Sequence, residues 1–357
     1  MIRLLVVDDS ALVRKLLGAV FAQEVDFEVR FARDGFEAVE LNRSFAPDVV
    51  TLDLNMPRMD GLACLDRLMI ERPCPVVMVS SYATADTEAT LEAFRLGAID
   101  FVPKPTGAVS LHIGEWAPQL VAKVRGAAGA RVKASARLRE RVRHRIGNAG
   151  TDTRSTTAAP RRLKRPVGEG LVLIGTSTGG PPALEALLTA LPANFPWPIL
   201  VAQHMPASFT GALSRRLDGI CALSVVEVRQ PTPLRPGTVY IGVGDADLIV
   251  ARRAAGLVAM AAPAHAHYLW HPSTDRLVRS AMEHVSPSQL VGVLMTGMGN
   301  DGADAMALLQ AQGGGTIAEA EETAVVWGMP GELVKAGGAD WIVPLPQIAA
   351  RLQKMVP

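Results

Sequence analysis

Short apolar runs alternate with amphipathic stretches along the first third of the chain. IRLLVV, FEVRFA, DVVTLDL, PVVMVS and AIDFV are interleaved with ALVRKLLGAVF, DGFEAVELNRSF, GLACLDRLMIE and ATLEAFRLG, whose apolar residues recur at three- and four-residue spacing. A short continuous apolar run suits a strand buried on both faces, and the helical period suits a helix laid against it. The alternation predicts βαβ units around a parallel sheet over residues 1–122. It restarts near residue 168 with EGLVLIGTSTGG, WPILVAQH, QLVGVLMTGMG and GGTIAEA, which predicts a second α/β domain over 168–357. Residues 123–167 mix Ala, Gly, Thr and Arg with few large apolar side chains, and predict a fraying helix followed by a flexible linker. No period of roughly 20 to 50 residues joins the two halves.

Composition changes this picture in two places. A length of 357 residues fits two or three domains, and 49% hydrophobic against 20% charged residues excludes global disorder. The 36 Lys and Arg against 35 Asp and Glu give a formal charge of +1, which argues against a nucleic-acid or membrane-surface protein. That neutrality is an average: residues 123–165 hold fourteen Lys and Arg against only Glu140 and Asp152, a net +12, which leaves −11 for the rest. Cys64, Cys74 and Cys221 are odd in number, far apart and outside any CxxC, so a disulfide framework or zinc cluster is not expected and a reducing cytoplasm fits. The first apolar run stops at Asp8, and no stretch approaches about 18 apolar residues. The expectation is a cytoplasmic chain without membrane insertion.

The first candidate chemistry is an acidic pocket. Asp8 and Asp9 end the first predicted strand and Asp53 ends the third, so in an open parallel sheet three carboxylates converge on one crevice. Such crowding calls for a cation, and an all-oxygen set suits Mg²⁺. Ser80 ends the fourth strand and Lys104 follows the fifth, a hydroxyl and an ammonium suited to a phosphoryl group on Asp53. Taken singly, Asp9 or Ser10 reads as a helix cap for ALVRKLL. Together, DDS, DLNMPRMDG, VSS and KP resemble a response-regulator receiver domain over the whole of residues 1–122. The resemblance implies a flavodoxin-like fold with Asp53 as phosphoacceptor. It also implies Mg²⁺ held by Asp9, Asp53 and the Asn55 carbonyl, with Asp8 completing the acid pair. Ser80 and Lys104 would sense the phosphoryl group, Phe101 would occupy the aromatic switch position, and the Lys104–Pro105 bond would be cis.

The second is a nucleophile at a sharp turn. GTSTG at 175–179 lies between a predicted strand and helix and matches the G-x-S-x-G elbow, which lifts Ser177 clear of the sheet. The pattern is short, and a helix cap or a phosphate-cradling loop remains open for it. Among seven histidines, His204 follows the buried run WPILVAQ and so sits at a strand end like Ser177, where an ordinary strand-end histidine is also possible. His265, His267 and His271 cluster in PAHAHYLWHP, read as a plain loop in preference to a zinc site. An acid to orient the base is supplied by Asp301, in a Gly-rich turn before a helix, with Asp304 as the nearby competitor.

GTSTGG, QHMP, TGMGNDGA and the later GMP resemble the catalytic domain of chemotaxis protein-glutamate methylesterases. With the receiver-like part in front, the resemblance covers nearly the whole chain and implies two doubly wound parallel-sheet domains, the second Rossmann-like. It implies Ser177 as nucleophile, His204 as base and acid, Asp301 as its orienting partner, and the Thr178 and Met298 amides as oxyanion donors. Thr176 stands where Ala is common. The implied function is phosphorylation-activated hydrolysis of glutamate γ-methyl esters on methyl-accepting chemoreceptors, with receptor glutamine deamidation by the same residues, a histidine kinase as phosphodonor, and no cofactor for the ester chemistry. The competing readings are a scaffold that docks without turnover and a module that binds nucleic acid through the +12 segment. That segment contains no aromatic residue for base stacking.

Overall fold

The computed structural model describes residues 1–80, 84–104, 113–130 and 170–356. The chain forms two compact units that divide within 131–169. In the first, strands β1 (Ile2–Val7), β2 (Phe27–Ala32), β3 (Val49–Leu52), β4 (Val76–Ser80) and β5 (Asp100–Pro103) alternate with helices α1 (Ala11–Phe21), α2 (Gly35–Ser44), α3 (Gly61–Glu71), α4 (Thr84–Leu96) and α5 (Ile113–Ala128). The sheet is parallel in the order β2-β1-β3-β4-β5. The inner strands β3 and β4 are buried throughout, whereas the edge strand β2 exposes Glu28, Arg30 and Phe31, as expected of strands covered on both faces and of an edge. Ser10, Asp34 and Asp60 accept backbone amides at the starts of α1, α2 and α3, so three helix starts follow from local cap chemistry.

Register aligns the strand ends. Val7 pairs with Leu52 and Ser80 with Pro103, so Asp8, Asp53 and Lys104 leave the sheet at the same edge. The turn after β3 is tight because α3 starts against it. A Cβ on Gly61 would lie 2.1 Å from the Asp53 carbonyl oxygen and 2.7 Å from Leu54 Cα. Gly61→Ala is therefore expected to destabilise the first unit by roughly 1–3 kcal/mol, through forced displacement of that turn. Calorimetric melting of the full chain checks this, and an unchanged first transition would contradict it.

The first unit continues past residue 122, and the helix expected there ahead of the flexible linker is the end of α5. Leu120, Val121, Val124 and Ala127 are buried at helical spacing. Lys123 Nζ lies 2.6 Å from Asp100 Oδ1 and donates to the Phe101 carbonyl, and Arg125 donates to Glu24 and Asp26. The basic residues drew attention to charge, but the apolar period through them is what decides that α5 runs to Ala128. Residues 131–167 of the expected linker lie outside the described residues.

The second unit contains β6 (Leu171–Thr176), α6 (Gly180–Leu188), β7 (Ile199–Gln203), α7 (Ala207–Ile220), β8 (Ser224–Val228), β9 (Thr232–Pro233), β10 (Thr238–Gly242), β11 (Ala246–Arg253), β12 (Gly256–Pro263), α8 (Thr274–Met282), β13 (Leu290–Leu294), α9 (Ala303–Ala311), β14 (Gly315–Glu319), α10 (Met329–Lys335), β15 (Trp341–Val343) and α11 (Leu345–Met355). Seven strands form a parallel sheet in the order β15-β14-β13-β6-β7-β10-β8. The chain passes from β6 to β7 on one side and later returns to place β13 on the other. That reversal opens a crevice at the carboxyl end of β6. A second sheet, β11-β12-β9, is antiparallel and was not expected from the sequence. Its hairpin packs on α8, where the Ser280 hydroxyl accepts the Val250 amide. The turn closes between Arg253 and Gly256, whose φ of 120° favours glycine.

Candidate functional site

In the first unit, carboxylate oxygens of Asp8, Asp9 and Asp53 lie within 4.8 Å of one another. Asp8 and Asp53 are buried and Asp9 is exposed. Lys104 Nζ bridges the inner pair, 2.8 Å from Asp8 Oδ2 and 2.8 Å from Asp53 Oδ2. Burial pushes the Asp53 carboxyl above its ordinary value; the Lys104 contact opposes this and the Asp8 charge reinforces it. Burial acts to lower the Lys104 ammonium, yet the two carboxylates outweigh it and the net direction is upward. Three carboxylates against one ammonium leave excess negative charge on hard oxygen donors, a set that fits a small divalent cation such as Mg²⁺. The Asn55 amide bonds to Asp53, which brings Asn55 to the same rim. Ser80 and Phe101 are both buried on neighbouring strands, and the Lys104 amide donates to the Ser80 carbonyl at 2.7 Å. The Lys104–Pro105 bond lies outside the described residues.

In the second unit, β6 and β7 run in register to Thr176 and Gln203, so Ser177 and His204 are the first residues beyond neighbouring strand ends. Ser177 does not cap α6: that place is taken by Gly179, with no side-chain bond. Its amide instead donates to the Thr296 carbonyl at 3.0 Å, tying it to the turn after β13. Thr296 ties the turn after β6 and the end of β14 to the turn after β13: its carbonyl also accepts the Thr176 hydroxyl at 2.9 Å, its hydroxyl donates to the Thr178 carbonyl at 2.8 Å, and its amide donates to buried Glu319 at 2.8 Å. Thr176, the departure from alanine, thus acts as a cross-brace. Met298 follows in the same turn and is half-buried.

His204 Nε2 lies 2.7 Å from Asp301 Oδ2, and both side chains are buried. Asp304, the alternative acid, is exposed on the first turn of α9. Asp301 is itself held by the start of α8: Oδ1 accepts the Ser273 hydroxyl at 2.8 Å and the Asp275 amide at 3.2 Å, and Oδ2 accepts the Thr274 amide at 2.6 Å. Burial works to raise the Asp301 carboxyl, but His204 and these amides outweigh it and hold it below the ordinary value. An ionised carboxylate only accepts, so the Nε2 of a neutral His204 carries the hydrogen and Nδ1 keeps its lone pair. Nδ1 is buried and has no hydrogen-bond partner among the described residues. A lone pair is what a general base needs; in this structure the Ser177 hydroxyl is not hydrogen-bonded to it.

Several residues around the site were not anticipated. The Trp270 ring stacks on His204, with centroids 5.9 Å apart and planes 15° apart. The Trp270 loop is anchored by fully buried Asp247, which takes His271 Nδ1 at 2.8 Å, the Ser273 amide at 2.8 Å and Arg276 at 2.5 Å. His271 is thus a partner of Asp247, and His265 and His267 are exposed. A cap signature, Ser273-Thr274-Asp275 before a helix, marked the α8 start in the sequence; nothing local marked Trp270.

Fold and sites together define a two-unit α/β protein. One unit has a lysine-bridged acid pocket, and the other sets Ser177 and His204 at adjoining strand ends, with Asp301 bonded to His204. The chain belongs to the CheB methylesterase family: the family's profile matches residues 172–352, and that of the response regulator receiver domain matches residues 4–113. It is 58% identical to a protein-glutamate methylesterase/protein-glutamine glutaminase of Rhodopseudomonas palustris, over 98% of this chain and 97% of the relative. A relative of the same description from Rhodospirillum rubrum is 49% identical, over 99% and 95% of the two chains. The crystal structure of the Thermotoga maritima CheB methylesterase catalytic domain is similar with a TM-score of 0.51 and 36% identity, covering 53% of this chain and all of that one. No helix among the described residues is long and apolar enough to cross a membrane.

Proposed function

We propose that this chain is a cytoplasmic esterase that hydrolyses glutamyl γ-methyl esters on methyl-accepting chemoreceptors, and deamidates receptor glutamines, under control of phosphorylation at Asp53. The observation that carries the reading is the bond from His204 Nε2 to Asp301 beside Ser177, at adjoining strand ends. Ser177 Oγ attacks the ester carbonyl as His204 Nδ1 accepts its proton; that proton passes to the departing methoxide, which leaves as methanol. Water, deprotonated by His204, then opens the acyl-enzyme and returns a glutamate. The Thr178 and Met298 amides stabilise the developing oxyanion. Asp301 holds the imidazole tautomer and favours the imidazolium that forms. The ester chemistry requires no cofactor. Methanol release from methylated receptor membranes by the full chain tests the reading, and membranes that stay methylated would refute it.

In the first unit, Asp53 accepts a phosphoryl group from a histidine kinase. Asp8, Asp9, Asp53 and the Asn55 carbonyl would hold Mg²⁺, which when bound offsets the negative charge of the carboxylates and the incoming phosphate. Phosphorylation adds about −1.5 to −2 charges at Asp53, drawing Lys104 and Ser80 toward the new oxygens and altering the packing around Phe101. With a small acyl phosphate donor and Mg²⁺, methanol release by the full chain is expected to rise about tenfold, the change that a population shift of about 1.4 kcal/mol produces. Asp53→Asn should keep the basal rate and lose the rise, and chelating the cation should do the same. Equal stimulation of the variant would show that control does not run through Asp53.

A further inference from the structure

We propose that Gln203 is a positioning residue of the esterase: its side-chain amide clamps the main chain of the nucleophile to that of the base. The proposal rests on the roles given to Ser177 and His204 above. The last bond between β6 and β7 runs from the His204 amide to the Thr176 carbonyl, at 3.1 Å. Beyond it the two strands part, Ser177 turning toward α6 and His204 toward α7. Gln203 is 1% exposed and reaches across this fork. Its Nε2 donates to the Ser177 carbonyl at 3.0 Å and to the His204 carbonyl at 3.1 Å.

Two carbonyl oxygens face the amide, so its nitrogen must point at them; a flipped amide would set three acceptors together. The orientation leaves Oε1 buried with no partner among the described residues. A buried acceptor without a partner is destabilising, and an apolar side chain of the same length would avoid that cost. The glutamine is therefore held for what its nitrogen does. Gly180 completes the arrangement, because a Cβ there would lie 1.9 Å from Gln203 Oε1. The Gly180 amide donates to the same Ser177 carbonyl at 2.8 Å, so two donors hold that oxygen. Fixing both carbonyls fixes the separation of Ser177 and His204, on which proton transfer between them depends steeply.

Gln203→Met keeps the length and removes the donor; Gln203→Glu keeps the shape and turns an acceptor toward the two carbonyls. In the full chain each is expected to lower kcat for methanol release by about tenfold or more, with KM within about twofold of wild type. The rate at which a fluorophosphonate probe modifies Ser177 should fall by a similar factor, since that reaction needs the serine and histidine in register but no receptor. A folded variant that keeps both rates would overturn the clamp. So would a loss of turnover with unchanged probe reactivity, which would place the defect in receptor binding. Loss of cooperative melting in both variants would also overturn it, since Gln203 would then be a structural residue. Failure of the underlying reading looks different: wild type itself would release no methanol and leave the probe unreacted.

Discussion

Replacing Ser177 with alanine is expected to reduce methanol release by at least about 10⁴-fold, roughly 5 kcal/mol of lost transition-state stabilisation. The size follows from the role: without Oγ no acyl-enzyme forms, and what is left is water attack assisted by the Thr178 and Met298 amides. The fold should survive, because the Ser177 bonds that tie the three turns together run through its amide and carbonyl, to Thr296, Gly180 and Gln203. The melting midpoint is expected to move by no more than a few degrees, as for substitutions that break none of the packing or capping features of a core. Methanol assay and calorimetry on the same preparation separate the two effects. Retained turnover in a folded S177A protein would remove Ser177 from the mechanism.

The second large effect belongs to Asp301. Asp301→Asn is nearly isosteric, yet the carboxylate accepts four hydrogen bonds, from His204, Ser273, Thr274 and Asp275. An amide offers one accepting oxygen and a donating nitrogen. If the nitrogen faces His204, the hydrogen moves to Nδ1 and the base loses its lone pair. In that place the nitrogen also meets the Thr274 amide, donor against donor; in the Oδ1 place it would meet the Asp275 amide and leave the oxygen on His204. The arrangement with the nitrogen toward His204 is expected to cost about 10³–10⁴ in kcat, the scale seen when the orienting acid of a triad becomes an amide. A smaller loss, within about tenfold, would mean that His204 holds its tautomer without Asp301. Stability should change with pH in a defined sense. Because the folded protein holds Asp301 below the ordinary value of 3.8, its contribution is fully present above that value and is lost as pH falls through the lower folded one. The variant should therefore be less stable than wild type at neutral pH, with the gap closing on the acid side in urea titrations.

Legibility in the sequence divides by range. Strand and helix periods are local, so DVVTLD and LVLIGT could be read as buried strands and Asp8, Asp53, Ser177 and His204 as residues at strand ends. Cap chemistry is local too, and Ser10, Asp34 and Asp60 act as their side chains suggest. Lys123 and Arg125, counted with the basic segment for their charge, sit on a helix whose buried stripe continues beneath them and pair with Asp100, Glu24 and Asp26. The antiparallel hairpin ADLIVARRAAGLVAMAAP was not read from the sequence, although Gly256 at its turn, with φ 120°, was a local signal for it.

What the sequence determined by itself is the inventory: two stretches of α/β alternation, acids and a lysine at the strand ends of the first, and a serine, a histidine and an acid in the turns of the second. Those choices are made within a few residues of each other. The tertiary structure decided which of them meet. Asp301 rather than Asp304 reaches His204 across 97 positions of chain, Lys104 spans Asp8 and Asp53 at once, Gln203 reaches the Ser177 carbonyl on the neighbouring strand, and Trp270 enters the site without a local signal. Strand order and register set these distances. A hydrogen bond of 2.7 Å depends on where two distant segments are brought by the sheet between them, which no short window of sequence contains.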